Sequence, residues 1–253
     1  MNISQLKTFK KHKQKIACLT AYDSSFAELF DECGLDIILV GDSLGNVIKG
    51  DKNTLKVTIE NMIYHTNIVA SKVKNSLLVV DMPYKSYTNA NQTLINANKL
   101  IKAGAKIVKL EGFIECEESF KILQDNKIPV CGHLGLQPQS TKRVDDYKMQ
   151  GKNDVSANKI IEQAKLLEEY GAKVIVLEFI PSKLAKKISN ILSIPTIGIG
   201  AGVDCDGQVL VSYDMLGITK NPPKFVKNFL IDSKDIKAAT KNYIDAVKNG
   251  LFP

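Results

Sequence analysis

The chain has 253 residues, 44% of them apolar and 24% charged, which is enough to bury a sizeable core and excludes a disordered, collagenous or disulfide-scaffold protein. Its formal net charge of +7 comes from lysines with one arginine, Arg143; scattered in this way they read as a solvated surface, and nucleic-acid binding is not expected. No apolar stretch approaches the length of a membrane span, and five cysteines without C-x-x-C spacing (Cys18, Cys33, Cys116, Cys131 and Cys205) predict reduced thiols in a cytoplasmic protein.

In chain order, MNISQLKTFKKHKQK lacks the apolar core of a secretory signal. IACLT (16–20) is the first predicted strand, followed by a helix over 24–33 that stops at Gly34. IILV (37–40) is the second strand, and a helix over 58–73 opens at Thr58-Ile59-Glu60. LLVV (77–80), a helix over 89–103, KIVKL (106–110), PVCGH (129–133) and a helix over 155–170 continue the rhythm. VIVLE (174–178), TIGIG (196–200) and the weaker QVLVS (208–212) complete eight strands, with too little chain between the last two for a full helix. Residues 217–229 read as a loop and a short helix, and 231–250 as a terminal helix with Ser233 as N-cap and Gly250 as stop. NGLFP carries no lipidation or retrieval signal. Strands alternating with helices predict a parallel sheet. At this length a single (β/α)8 barrel domain over residues 1–253 fits, with an open doubly wound sheet as the alternative.

The candidate chemistry sits where the strands end. Strand two is followed by Asp42, three by Asp81, four by Glu111, five ends in His133 and six in Glu178. One acid at a strand end is an ordinary helix cap; four in one barrel would share one mouth, where the active sites of such barrels lie. Lys109 and Glu111 are two apart and therefore share the inner face of their strand. Carboxylates crowded in a dry mouth repel one another, and a divalent cation relieves that. Oxygen donors without a Cys or His cluster favour Mg²⁺ over zinc. A 2-oxo acid would suit such a centre, with Asp42, Asp81 and Glu111 at the metal, Lys109 and Ser43 on the substrate carboxylate and Glu178 as base. GIGAG (198–202) lacks dinucleotide-loop spacing and reads equally well as close backbone packing.

LTAYDSSFA (19–27), VGDSLG (40–45), TIENMIYHT (58–66), DMPYKSY (81–87), VKLEG (108–112), VCGHLGLQPQS (130–140), IGIGAG (197–202) and PKFVKNF (223–229) together resemble the ketopantoate hydroxymethyltransferase family over about residues 4–252. The resemblance implies a (β/α)8 TIM barrel of the phosphoenolpyruvate/pyruvate type, assembled as a homo-oligomer, often a decamer. It implies Mg²⁺ and the co-substrate 5,10-methylenetetrahydrofolate. It places metal ligands at Asp42, Asp81 and Glu111, keto-acid contacts at Asp42, Ser43, Asp81 and Lys109, the base at Glu178, and His133 in support. The implied reaction turns 3-methyl-2-oxobutanoate into 2-dehydropantoate, in pantothenate biosynthesis, through a Mg²⁺-stabilised enolate. Asp51 stands where the family's Gly-His-x-x-Thr loop has its His, Asp145-Asp146 where Gly-Gly is usual, and Phe179-Ile180 where Cys or Ala precedes Val-Pro. These departures bear on loop closure, folate affinity and turnover.

Two other readings stand beside this one. Another Mg²⁺-dependent lyase or mutase of the same barrel type would act on a 2-oxo acid without folate. A catalytically silent basic binding module would bind RNA with strong salt dependence and show no metal-dependent activity.

Overall fold

The computed structural model describes residues 1–141 and 147–253; Arg143 and the Asp145-Asp146 departure lie outside the described residues. The apolar runs form eight strands: β1 Ile16–Thr20, β2 Ile37–Val40, β3 Leu77–Asp81, β4 Ile107–Glu111, β5 Val130–Gly135, β6 Val174–Glu178, β7 Thr196–Ile199 and β8 Gly207–Leu210. All pair in parallel and in sequence order, and β8 closes onto β1 with Ile16 opposite Gly207. The open-sheet alternative is therefore excluded.

Helices α1 Ile3–Lys11, α2 Ser24–Glu32, α3 Leu44–Val47, α4 Ile59–Ala70, α5 Ala90–Ala103, α6 Glu117–Asp125, α7 Asp154–Glu169, α8 Ser182–Ile191, α9 Ser212–Met215 and α10 Ile236–Lys248 accompany the strands. Their starts follow capping chemistry: Thr58, Asn89 and Asn153 accept N–H bonds from Asn61, Gln92 and Ser156. Three predicted details change. The terminal helix starts at Ile236 because Asp235, not Ser233, caps it, accepting from the Ala238 N–H at 2.7 Å. Residues 217–229 hold no helix; Pro222 and Pro223 interrupt it, and Phe229 instead packs edge-on to Tyr243 and Phe252. Helix α1 is absent from the predicted elements, as are α3, α6, α8 and α9; in α1 Leu6 is buried and Ile3 and Phe9 are half-buried beside it, a narrow apolar side.

Strand alternation divides the core in two. Ala17, Leu19, Ile38, Val40, Val108 and Leu110 face the helices. Ile16, Cys18, Ile37, Leu39, Leu77, Val79, Ile107, Cys131, Val174, Val176, Ile197 and Val209 fill the barrel, with Leu6, Ile3 and Phe9 of α1 packed onto them. Helix α1 thus plugs the N-terminal end of the barrel. Polar chemistry is left to the other end, where inward series turn from apolar to charged in one step: Val79 to Asp81, Ile107 to Lys109, Cys131 to His133, Val176 to Glu178.

Candidate active site

The register of the sheet sets the acids side by side. Asp81 stands opposite Lys109, Glu111 opposite His133, and Glu178 opposite Gly135. Lys109 Nζ lies 2.6 Å from Asp81 Oδ1, and both side chains are buried. The other oxygen of Asp81 accepts the backbone N–H of Asp42 at 2.9 Å. Asp42 lies beyond the end of β2, where the chain turns into α3 through the Leu44 N–H to Gly41 C=O bond. Gly41 has to be small: a Cβ there would meet Ser43 Oγ at 2.8 Å, with Asp81 Oδ2 at 3.6 Å. Ser43 Oγ is 2.8 Å from the hydroxyl of Tyr22, whose carbonyl is 2.6 Å from His65 Nδ1.

His133 lies between two of the acids. Its Nδ1 is 3.3 Å from Glu111 Oε1 and its Nε2 is 3.2 Å from Glu178 Oε2, so one buried ring spans two carboxylates. Burial and the Lys109 charge oppose protonation of this ring, but Glu111 and Glu178 outweigh them and push it up to about 9. Glu178 stands apart from the other three acids and is the most exposed of the four. The next residue, Phe179, has φ +48. A bulky side chain in the left-handed region costs about 1–3 kcal/mol. It is held there by the Phe179 N–H to Ile199 C=O bond, the Gln150 N–H to Phe179 C=O bond and packing on Phe225. Gly135, opposite Glu178, has φ +97, and a Cβ there would run into the Glu178 carbonyl.

Several participants went unrecognised as site residues in the sequence. Gln139, in a 3-10 turn after β5, donates its backbone N–H to Glu111 Oε2 at 3.0 Å and its amide to Asp42 Oδ2 at 2.7 Å. The Tyr87 hydroxyl donates to Gln139 Oε1 at 2.6 Å. Tyr147 is pushed well above the usual phenol range by burial first and then by the charges of Glu178, Glu111 and Asp42. Tyr22, Tyr87 and Gln139 all sit inside the motifs LTAYDSSFA, DMPYKSY and VCGHLGLQPQS, so the motifs themselves were the available signal. Asp51, the departure after VGDSLG, folds back locally: its N–H bonds the Gly45 carbonyl and its carboxylate lies 3.4 Å from Lys49. GIGAG is close packing, with Phe225 against Gly200 and Ser182 against Gly202.

The donor set fits a hard divalent cation. The Asp42 carboxyl is driven well above its ordinary range by burial first and then by Asp81 and Glu111. Glu111 is held low in spite of its burial by His133, Lys109 and the Gln139 N–H. Asp42 therefore carries the electrostatic mismatch, and a second positive centre beside it would remove it. Among the described residues no group of three or more His, Cys, Asp or Glu side chains is arranged to enclose a metal ion. Mg²⁺ needs no such cage, since it takes one or two carboxylates and leaves other positions to water and substrate. A cavity of about 300 Å³, lined by Glu115, Gly135, Gln137, Gln150 and Lys159 among others, opens beside the end of β5. A larger one, about 530 Å³, lies at the opposite end of the barrel between α1 and the starts of β3 and β4, away from the acids.

The model of the ketopantoate hydroxymethyltransferase family matches residues 1–253. A 3-methyl-2-oxobutanoate hydroxymethyltransferase of Vesicomyosocius okutanii subsp. Calyptogena okutanii is 61% identical over 254 residues, covering 100% of this chain and 98% of its own. One of Photorhabdus laumondii subsp. laumondii is 47% identical over 253 residues, 100% of this chain and 96% of its own. Among solved structures, 2,3-dimethylmalate lyase, a PEP mutase/isocitrate lyase superfamily member, aligns with a TM-score of 0.60 at 10% identity over 85% of this chain and 82% of that chain, a likeness of fold.

Proposed function

The chain belongs to the ketopantoate hydroxymethyltransferase family and transfers a hydroxymethyl group to 3-methyl-2-oxobutanoate in pantothenate synthesis, and we propose that it draws the one-carbon unit from 5,10-methylenetetrahydrofolate and works with Mg²⁺. Asp42, Asp81 and Glu111 would hold the cation. When bound, it would supply Lewis-acid polarisation of the 2-oxo group.

The remaining work falls to the chain's own side chains. Lys109 and Ser43 hold the substrate carboxylate, Lys109 from a fixed position against Asp81 and Ser43 from its contact with Tyr22. Glu178 takes the C3 proton. Water adds to the folate methylene and both of its C–N bonds break, the two water protons going to the nitrogens of the departing tetrahydrofolate. The C3 carbon bonds to the one-carbon unit so released at the oxidation level of formaldehyde, and its oxygen takes the proton held by Glu178, giving 2-dehydropantoate. Support for folate comes from the motif resemblance.

One observation carries this division of labour. His133 separates Glu178 from Glu111 with one ring nitrogen toward each, so a base stands near the acids without belonging to them. The test is formation of 2-dehydropantoate from 3-methyl-2-oxobutanoate and methylenetetrahydrofolate, with and without a chelator. Product that depends on both folate and Mg²⁺ is expected; product formed equally well in the chelator would overturn the metal, and product formed without folate would overturn the donor.

The proposal includes a homo-oligomer, a decamer of the 27.9 kDa chain, and a cytoplasmic location. The homo-oligomer rests on the motif resemblance, and the five free cysteines suit a reducing compartment. Among the described residues no helix is long and apolar enough to cross a membrane.

A further inference from the structure

The three crowded acids differ in how each is served. Asp81 has Lys109 on one oxygen and the Asp42 N–H on the other. Glu111 has His133 on one and the Gln139 N–H on the other. Among the described residues, the Asp42 side chain has one hydrogen-bond partner, the amide of Gln139.

We infer that Gln139 is a positioning residue that fixes the Asp42 carboxylate, and through its backbone Glu111, in the arrangement the cation and keto acid require. Gln139 is 4% exposed, so every polar atom of its amide must find a partner inside the protein. Nε2 donates to Asp42 Oδ2 at 2.7 Å and to the Met82 carbonyl at 3.0 Å, and Oε1 accepts from Tyr87 at 2.6 Å. These contacts fix which way the amide faces. The Met82 carbonyl can only accept, so nitrogen must point to it and to Asp42; reversed, the amide oxygen would confront two acceptors. One residue thus ties together the turn after β2, the end of β3, the end of β4 and the loop carrying Tyr87. No other uncharged side chain of this reach does the same. Glutamate would add a fourth negative charge and lose the N–H, and leucine would leave the Asp42 oxygen and the Met82 carbonyl bare. With Oδ2 engaged, Oδ1 of Asp42 is the oxygen left for ligands.

The inference rests on the metal reading above, and the test separates the two. Mg²⁺ and 3-methyl-2-oxobutanoate are titrated calorimetrically into wild-type protein, Gln139→Leu and Tyr87→Phe, without folate, and C3–H exchange of the keto acid is followed in deuterated water. Gln139→Leu is expected to weaken Mg²⁺ and keto-acid binding by about tenfold to a hundredfold, the range for losing a hydrogen bond to a buried charge. Tyr87→Phe, which removes the partner that steadies the amide and the long contact from the Glu111 N–H at 3.4 Å, is expected to weaken both by less, about threefold. Gln139→Asn, with the same amide on a shorter stem, is expected to recover part of the loss. If Gln139→Leu does not fold by circular dichroism, the Tyr87→Phe and Gln139→Asn titrations decide instead. Wild-type protein that binds keto acid without Mg²⁺ overturns the metal reading, and the keto-acid affinities alone then judge Gln139. Unchanged affinities and exchange in every folded variant overturn the positioning role.

Discussion

The two ends of the barrel treat their buried and half-buried acids differently. At the N-terminal end each has its own donors. Asp31 accepts the N–H groups of Lys74, Asn75 and Ser76 and the Asn75 amide. Asp36 accepts from Ala17 N–H and pairs with Lys248, and Asp206 takes Lys10 Nζ at 2.7 Å and the Thr196 N–H at 2.8 Å. At the C-terminal end two cationic groups serve three of four crowded acids, Lys109 on Asp81 and His133 between Glu111 and Glu178, while Asp42 has only the Gln139 amide among the described residues. The titration directions follow. Burial alone would raise Asp31, yet its N–H donors hold it below the usual carboxylate range, while burial and its acidic neighbours drive Asp42 far above it. Acids that serve stability are each neutralised in place. The crowded acids are those that the proposed Mg²⁺ would neutralise.

This contrast can be broken by substitution at either end. The largest effect is expected from Asp81→Ala, which removes the partner of both Lys109 and the Asp42 N–H. Mg²⁺-dependent binding of the keto acid should vanish in calorimetry with the fold retained; unchanged binding would mean that the crowded end is not the ligand site. Glu178→Gln should keep keto-acid binding while C3–H exchange in deuterated water falls by about 10²–10⁴-fold, the range for losing a general base. Normal exchange would rule Glu178 out as that base. The smallest effect belongs to the other end. Asp31→Asn should cost about 1–3 kcal/mol of stability in urea unfolding and leave turnover unchanged. Because the folded-state value of Asp31 is depressed, its stabilisation is complete above the unfolded carboxylate value, about 3.9, and is lost as pH falls through the folded value. The wild-type advantage over Asp31→Asn should therefore shrink in acid. A variant that lost activity without losing stability would erase the distinction between the ends.

Much of this was legible in one dimension because a barrel strand obeys a period of two. The pattern Ile107-Val108-Lys109-Leu110-Glu111 assigns each side chain a face without any knowledge of its neighbours, and the observed core follows it. The eight strands and their order follow from the alternation of apolar runs with capped helices. Helix α1 went unpredicted because its apolar side is only three residues, Ile3, Leu6 and Phe9, in a short lysine-rich segment, and Ser233 competed with Asp235 as a cap two residues away. His133 was placed near the acids, yet its span from Glu111 to Glu178 depends on which strands are neighbours.

By itself, then, the sequence determined the alternation of strands with helices, the acids at the strand ends, the shared inner face of Lys109 and Glu111, and the family that the motifs resemble, because periodicity and motif are properties of a line. Closure into a barrel rather than an open sheet was settled by the pairing of β8 with β1. Tertiary structure decided what those groups meet. Asp42 lies past the end of its strand, where alternation no longer applies, and its position follows from the turn into α3 and the bond to Asp81. Gln139 is 97 residues from Asp42 along the chain and 2.7 Å from it in space. A contact of that kind is written only in the closure of the barrel, since an amide's partners are fixed by the three-dimensional positions of carbonyls and carboxylates that the local sequence around Gln139 does not contain.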